Sequence, residues 1–226
     1  MNVESSESKA RAQGERQRAA EETRNRRRGQ LEIARASASK LQQQLSQING
    51  VSARHIALSS HLGGFYEEVD KLTKGKSLLE VTDLIVTRMN EIIGDAKAMV
   101  SEDTYLDRVK EFVPAGDNPV YPDVLMTARA VRDCLDRFGE RTKADRERVS
   151  SKLNEAWTIQ VALQLHHEGT ANPTKEAVEE RLGRSVPSGW FPYDSRTQRY
   201  YFDFADLDQH NMEQYLSVHT TVVNAK

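Results

Sequence analysis

Leu31-Glu32-Ile33-Ala34-Arg35-Ala36-Ser37-Ala38-Ser39-Lys40-Leu41-Gln42-Gln43-Gln44-Leu45-Ser46-Gln47-Ile48 is the stretch on which the fold turns. Leu31, Ala34, Ala38, Leu41, Leu45 and Ile48 recur at alternating steps of three and four residues. That period draws one apolar seam along an α-helix, as in a coiled coil. The seam spans fewer than three heptads, so two readings stand side by side. Leu31, Leu41, Leu45 and Ile48 contact a partner helix or a second copy, or the helix packs within its own bundle. The seam segment is set at 31–62, because Gly63-Gly64 is expected to end or kink the helix.

Upstream of the seam the character changes. Residues 1–8 are rich in Ser and Glu and are expected to lie outside regular structure. From Lys9 onward Ala, Glu, Gln and Arg dominate, which favours helix, with Gly14 and Gly29 as weak points. Few apolar residues precede Leu31, so residues 1–30 form a disordered or solvent-exposed basic helical arm. Residues 9–40 hold ten Lys and Arg against four Glu, a net of +6, whereas the whole chain of 226 residues carries −2. A uniformly basic nucleic-acid binder is excluded, but a basic arm is not. Arg24, Arg26, Arg27 and Arg28 are the candidate phosphate contacts there, with a plain solvated face as the alternative.

Downstream, residues 31–168 read as a helical bundle. Ser77 and Glu80 have the spacing of a capping box. Leu78, Val81, Ile85, Met89, Ile92, Ala96 and Met99 follow on one helical face. Another helix is expected over 102–113, stopped by Pro114, with a loop at 115–122. Asp123 is placed to cap the next helix, whose inner face is Leu125, Ala128, Val131, Leu135 and Phe138. Gly139 is a point of possible interruption before Leu153, Trp157, Val161 and Leu165, and Gly169 ends the run. Cys134 is the single cysteine and falls among these apolar positions, so it reads as a small core residue.

Residues 169–226 read as a small α+β module. Asn172-Pro173 opens a short helix that Gly183 closes. Trp190-Phe191-Pro192-Tyr193 and Tyr200-Tyr201-Phe202-Asp203-Phe204 form a β-hairpin, with Tyr200, Phe202 and Phe204 on one face. Pro192 places its strand at an edge. A last short helix takes in Met212, Tyr215 and Leu216. The fold class is therefore mainly α: a long N-terminal helix, a helical bundle and a small C-terminal helix-plus-hairpin module.

Tests for chemistry return little. Lys74-Gly75-Lys76-Ser77 echoes the end of a phosphate-binding loop, but Asp70 stands where its first glycine belongs. His166 and His167 are adjacent and point about 100° apart on a helix, so they do not share an ion. His210 and Glu213 could meet, but two ligands do not make a site. His55 and His61 face different ways. No nucleophile motif is present. The expectation is a non-enzymatic protein with no cofactor and no metal. The first 30 residues lack an apolar leader core, and no run of about 18 apolar residues occurs, so no membrane partner and a cytoplasmic location are expected.

One pattern points further. Pro173-Thr174, Ala177-Val178, Arg181-Leu182-Gly183 and Ser185 resemble the first half of a helix-turn-helix, the motif of many bacterial, plasmid and phage DNA-binding proteins. The order helix, helix, hairpin is that of a winged-helix domain. The resemblance covers roughly fifty residues and implies DNA contact, with Arg196 and Arg199 on the hairpin touching phosphates and Asp194, Asp203, Asp206 and Asp208 opposing them; a winged-helix-like module used for protein contact fits equally well. It departs at Val186-Pro187-Ser188-Gly189, which cannot continue a helix where the recognition helix should begin near Ser185. Gly189-Trp190 with Tyr200-Tyr201-Phe202 also looks like two strands of a WW domain, but the third strand and its closing aromatic-proline pair are missing. Two functions follow: an interaction or scaffold protein acting through helical contacts with a protein partner or another copy, and a DNA-binding protein using the arm and the module. An enzyme built on a helical bundle ranks third.

Overall fold

The computed structural model describes residues 3–74, 81–100, 103–112, 119–205, 207 and 209–222. Among these it forms five α-helices: α1 (Val3–Thr73), α2 (Asp83–Met99), α3 (Tyr121–His167), α4 (Lys175–Leu182) and α5 (Gln209–Tyr215). One antiparallel hairpin pairs β1 (Tyr193–Asp194) with β2 (Arg199–Tyr200). The protein is mainly α with a long N-terminal helix and a small C-terminal hairpin module, as its periodicity predicts.

The helix α1 is longer than expected at both ends. It begins at Val3, inside the stretch expected to be irregular, and passes through Gly63-Gly64 without a break. Each helical glycine costs about 1 kcal/mol relative to alanine. Leu62, Phe65 and Val69 bury their side chains on either side of the pair, and each contributes roughly 1.5–3 kcal/mol. Burial outweighs the two glycines. Likewise α3 runs 47 residues through Gly139.

The chain folds as two compact units, and their boundaries fall within α1 and α3. One unit is Gln44–Arg148 with His219–Lys226. Its interior includes Ile48, Leu62 and Phe65 of α1, Met89, Ile92 and Ile93 of α2, and Leu135 of α3. The α2 face is as expected from Ile85 onward, but the helix starts after Thr82, and Val81 instead donates its N–H to Pro119 O at 3.0 Å. The Ser77–Glu80 capping box, Leu78, Gly75 to Ser77 and Pro114 lie outside the described residues. The helix expected over 102–113 is replaced, among the described residues, by a single 3-10 turn at Leu106–Arg108. Only Leu106 is fully buried there, so no apolar stripe exists to hold a longer helix. The Asp103 carboxylate accepts from the N–H groups of Tyr105 and Leu106, and the Asn90 amide bonds both the N–H and the C=O of Phe112. Helix α3 opens at Tyr121, two residues before Asp123. Pro122 sits in the first turn, where its missing N–H has no partner to lose.

The other unit is Met1–Gln43 with Val149–Val218. Leu31, Ala34, Ala38 and Leu41 of α1 are buried in it, as are Leu153, Ala156, Ile159 and Leu163 of α3. Gly169 (φ 107°) turns the chain out of α3. The cap of α4 is Thr174, not Asn172: its Oγ1 accepts from the Ala177 N–H at 3.2 Å. Gly183 (φ 68°) takes the left-handed C-cap as expected. The hairpin is shorter than expected, because Trp190 belongs to a 3-10 turn at Ser188–Trp190. Residues 185–187, where a recognition helix would begin, form no regular element, and that turn follows them.

Candidate functional site

Residues 9–26 carry no burial. Every side chain in this part of α1 is exposed, Gly14 alone being half-covered. Its apolar members are four alanines, so it has no stripe to pack. Six cations (Lys9, Arg11, Arg16, Arg18, Arg24 and Arg26) stand against three carboxylates, Glu15, Glu21 and Glu22. This is helix held by alanine and long-chain propensity alone, with its charges in water.

At Arg27 the helix enters the fold. Arg27 is 9% exposed, and Gln30 is fully buried. One Arg27 Nη1 donates to Gln30 Oε1 (3.0 Å) and to Phe204 O (3.2 Å). The guanidinium also lies 4.3 Å from the centre of the Phe204 ring. Gln30 Nε2 donates to Leu207 O at 2.8 Å. Burial, with Arg26 adding to it, lowers the Arg27 pKa, while the nearby Asp203 carboxylate opposes that. Arg27 is therefore an internal strut, its guanidinium engaged within the fold. Arg24, Arg26 and Arg28 remain exposed, and Arg28 pairs loosely with Glu32 at 3.6 Å.

The strut fastens an aromatic module. Phe202 stacks on Trp190 (5.8 Å, 9°) and meets Phe191 and Phe204 edge to face. His166 lies against Phe204 at 5.1 Å. Backbone bonds from Tyr201 N to Pro192 O, Phe202 N to Pro173 O and Asp203 N to Trp190 O weave the hairpin to α4 and the turn. The hairpin turn is set by Asp194, whose carboxylate accepts from the Arg196 N–H and the Thr197 hydroxyl. On this frame Tyr193 and Tyr200 face each other across the strands, ring centres 5.0 Å apart, and both are largely exposed. Tyr200 thus does not share the buried face of Phe202: the strand ends at Tyr200 and the chain bends inward after it. Arg196 and Arg199 are exposed beside the pair, and neither forms an ion pair among the described residues.

The four seam leucine and isoleucine positions behave differently. Leu31, Leu41 and Ile48 are buried in the folded chain and Leu45 is half-buried. The apolar surface of Leu31, Leu41 and Ile48 is thus already covered in the single chain.

Other polar groups are engaged in holding the fold. Asp145 is fully buried; its carboxylate accepts from Arg148, from the N–H and hydroxyl of Thr221, and from the Val222 N–H. Burial pushes its pKa up, but those bonds outweigh it and leave the carboxyl below its ordinary range. The Tyr215 hydroxyl and the Lys152 ammonium both donate to Glu155, and burial with that carboxylate pushes the Tyr215 pKa up to about 12. Cys134 is buried and accepts from Arg137, which also pairs with Asp103. A groove of about 610 Å³ is lined by Arg54, Leu58, His61, Asp95, Met99 and Val222, among others. Among the described residues no three His, Cys, Asp or Glu side chains converge as metal ligands, and no helix is long and apolar enough to cross a membrane. Sequence reasoning missed Asp145, which sits in a charged run with no local signal. No protein-family model, no curated protein and no solved structure matches this chain.

Proposed function

We propose that this chain is a non-enzymatic interaction protein whose binding element is the basic arm of α1, and that its partner is a nucleic acid. The observation that carries the reading is the step at Arg27. Behind it one face of the helix is buried. Ahead of it, over residues 9–26, six cations and three carboxylates stand in water with no apolar side chain larger than alanine. Protein interfaces draw their energy from buried aromatic and aliphatic anchors, which this arm lacks. A phosphate backbone needs only cations, and each contact gains from counterion release.

A helical protein partner remains the second reading, favoured by the short heptad seam, but Leu31, Leu41 and Ile48 are covered in the single chain. A mobility shift with full-length protein, titrated with salt, tests the proposal. Binding at low salt should fall steeply as salt rises. The charge-reduced chain carrying R16Q, R18Q, R24Q and R26Q should bind more weakly, with a salt slope shallower by up to about three. No shift at low salt, or the same slope from both proteins, overturns the reading.

A further inference from the structure

We propose that the Tyr193–Tyr200 pair is a stacking platform for unpaired bases, which makes the bound nucleic acid single-stranded; this rests on the arm reading above and narrows it. Tyr193 and Tyr200 are 54% and 42% exposed, their rings tilted 53° to each other at 5.0 Å, on a hairpin with no further strand against them among the described residues. Their backbone is fixed. Asp194 locks the turn, Tyr201 bridges to Thr174, and Phe202 is buried under Trp190. A rigid exposed aromatic pair offers π-faces without an ordering cost, and every base has a matching face.

Two features favour a polyanion over a proline-rich peptide on these rings. Arg196 and Arg199 flank the pair with no carboxylate partner among the described residues, and both Asp194 oxygens already accept bonds from the turn. The arm also meets this same module. Arg27 clamps Phe204, which lies four residues after Tyr200, no more than roughly 14 Å along the chain. Arg24, Arg26 and Arg28 are exposed on the helical turn around that clamp. Cations and aromatic faces together make the composite that single-strand binders use: an electropositive track with stacking stations.

The experiment is fluorescence anisotropy of the full-length protein with a labelled 20-nucleotide single strand and with its duplex, across a salt series. The single strand should bind more tightly. The Y193A/Y200A variant should lose roughly tenfold or more on the single strand, keep its duplex affinity and keep its salt slope. Y193F/Y200F, which retains both ring faces, should bind the single strand as wild type does. Melting curves on both variants confirm that the module is folded. Equal affinity for strand and duplex, or no effect of Y193A/Y200A, overturns the platform while leaving the arm reading intact. So does binding of a proline-rich peptide that the same variant abolishes, if strand preference is absent. Failure of both nucleic acids to bind at low salt overturns the arm reading itself.

Discussion

The His55 imidazole lies across the backbone of Gly139: a Cβ placed on that glycine would sit 2.7 Å from Cε1. The ring is held there because Nε2–H donates to Leu135 O at 2.8 Å, and it packs against Phe138. Gly139 is thus a glycine required by contact and not by backbone conformation. Gly139→Ala should destabilise the protein by about 1–2 kcal/mol through overpacking. In a His55→Ala background the obstacle is gone, and the same substitution should be neutral or stabilising. Urea unfolding of the four proteins in this cycle measures the coupling directly.

Gly63 and Gly64 present the opposite case. Both lie inside α1, and an added methyl at either meets nothing within 4 Å. Gly63→Ala and Gly64→Ala should each raise stability by roughly 0.5–1 kcal/mol, since alanine loses less backbone entropy on entering a helix. A fall in the urea midpoint for either variant would mean that the helix does not run straight through this point.

Arg27 and its neighbours separate structure from recognition. Arg27→Ala removes a bond to Phe204 O and a cation over the Phe204 ring, and takes the donor from Gln30 Oε1. Its expected cost is about 3 kcal/mol, from a charged hydrogen bond and a desolvated cation–π contact together. Arg24→Ala and Arg26→Ala should each stay within about 0.5 kcal/mol, as exposed substitutions do. Limited proteolysis of the C-terminal module and melting curves read both effects.

How much of this was legible follows from where the signals are local. The seam from Leu31 to Ile48 was legible because burial imposes its period on sequence. The role of Arg27 was hidden by its setting among four arginines. Yet one further step of four back from Leu31 lands on Arg27, in register with the seam, and that was the signal available. The hairpin was legible from its aromatic alternation, but not its length, because Trp190 joins a turn set by contacts with Phe202 and Tyr215. The helix expected over 102–113 is missing for want of neighbours: one buried leucine cannot hold a helix there, and the Asn90 amide takes up the backbone N–H and C=O of Phe112. The tilted Tyr193–Tyr200 pair depends on register across the turn, which composition does not reveal. Asp145 was beyond reach, since its partners Thr221 and Val222 lie over seventy residues away.

Asp145 makes the tail pH-sensitive in one direction. Its carboxylate is fully buried, and burial alone would raise its pKa. The bonds from Arg148, Thr221 and Val222 reverse this and hold it below the unfolded value. A depressed folded pKa means stability that is present above the unfolded carboxylate pKa of about 3.9 and is lost as pH falls through the lower folded value. Hydrogen exchange at residues 220–222 should therefore be insensitive to this group from pH 7 down to roughly pH 4.5, once the intrinsic rate is corrected, and protection should drop below about pH 4. Asp145→Asn keeps the shape but loses the charge: with its amide oxygen toward the Thr221 and Val222 donors, its NH2 faces the Arg148 guanidinium, which is left without a carboxylate partner. It should cost about 3 kcal/mol at neutral pH and flatten the acid limb. An unchanged acid limb in that variant would assign the transition to other carboxylates and remove Asp145 as the group that ties residues 220–222 to α3.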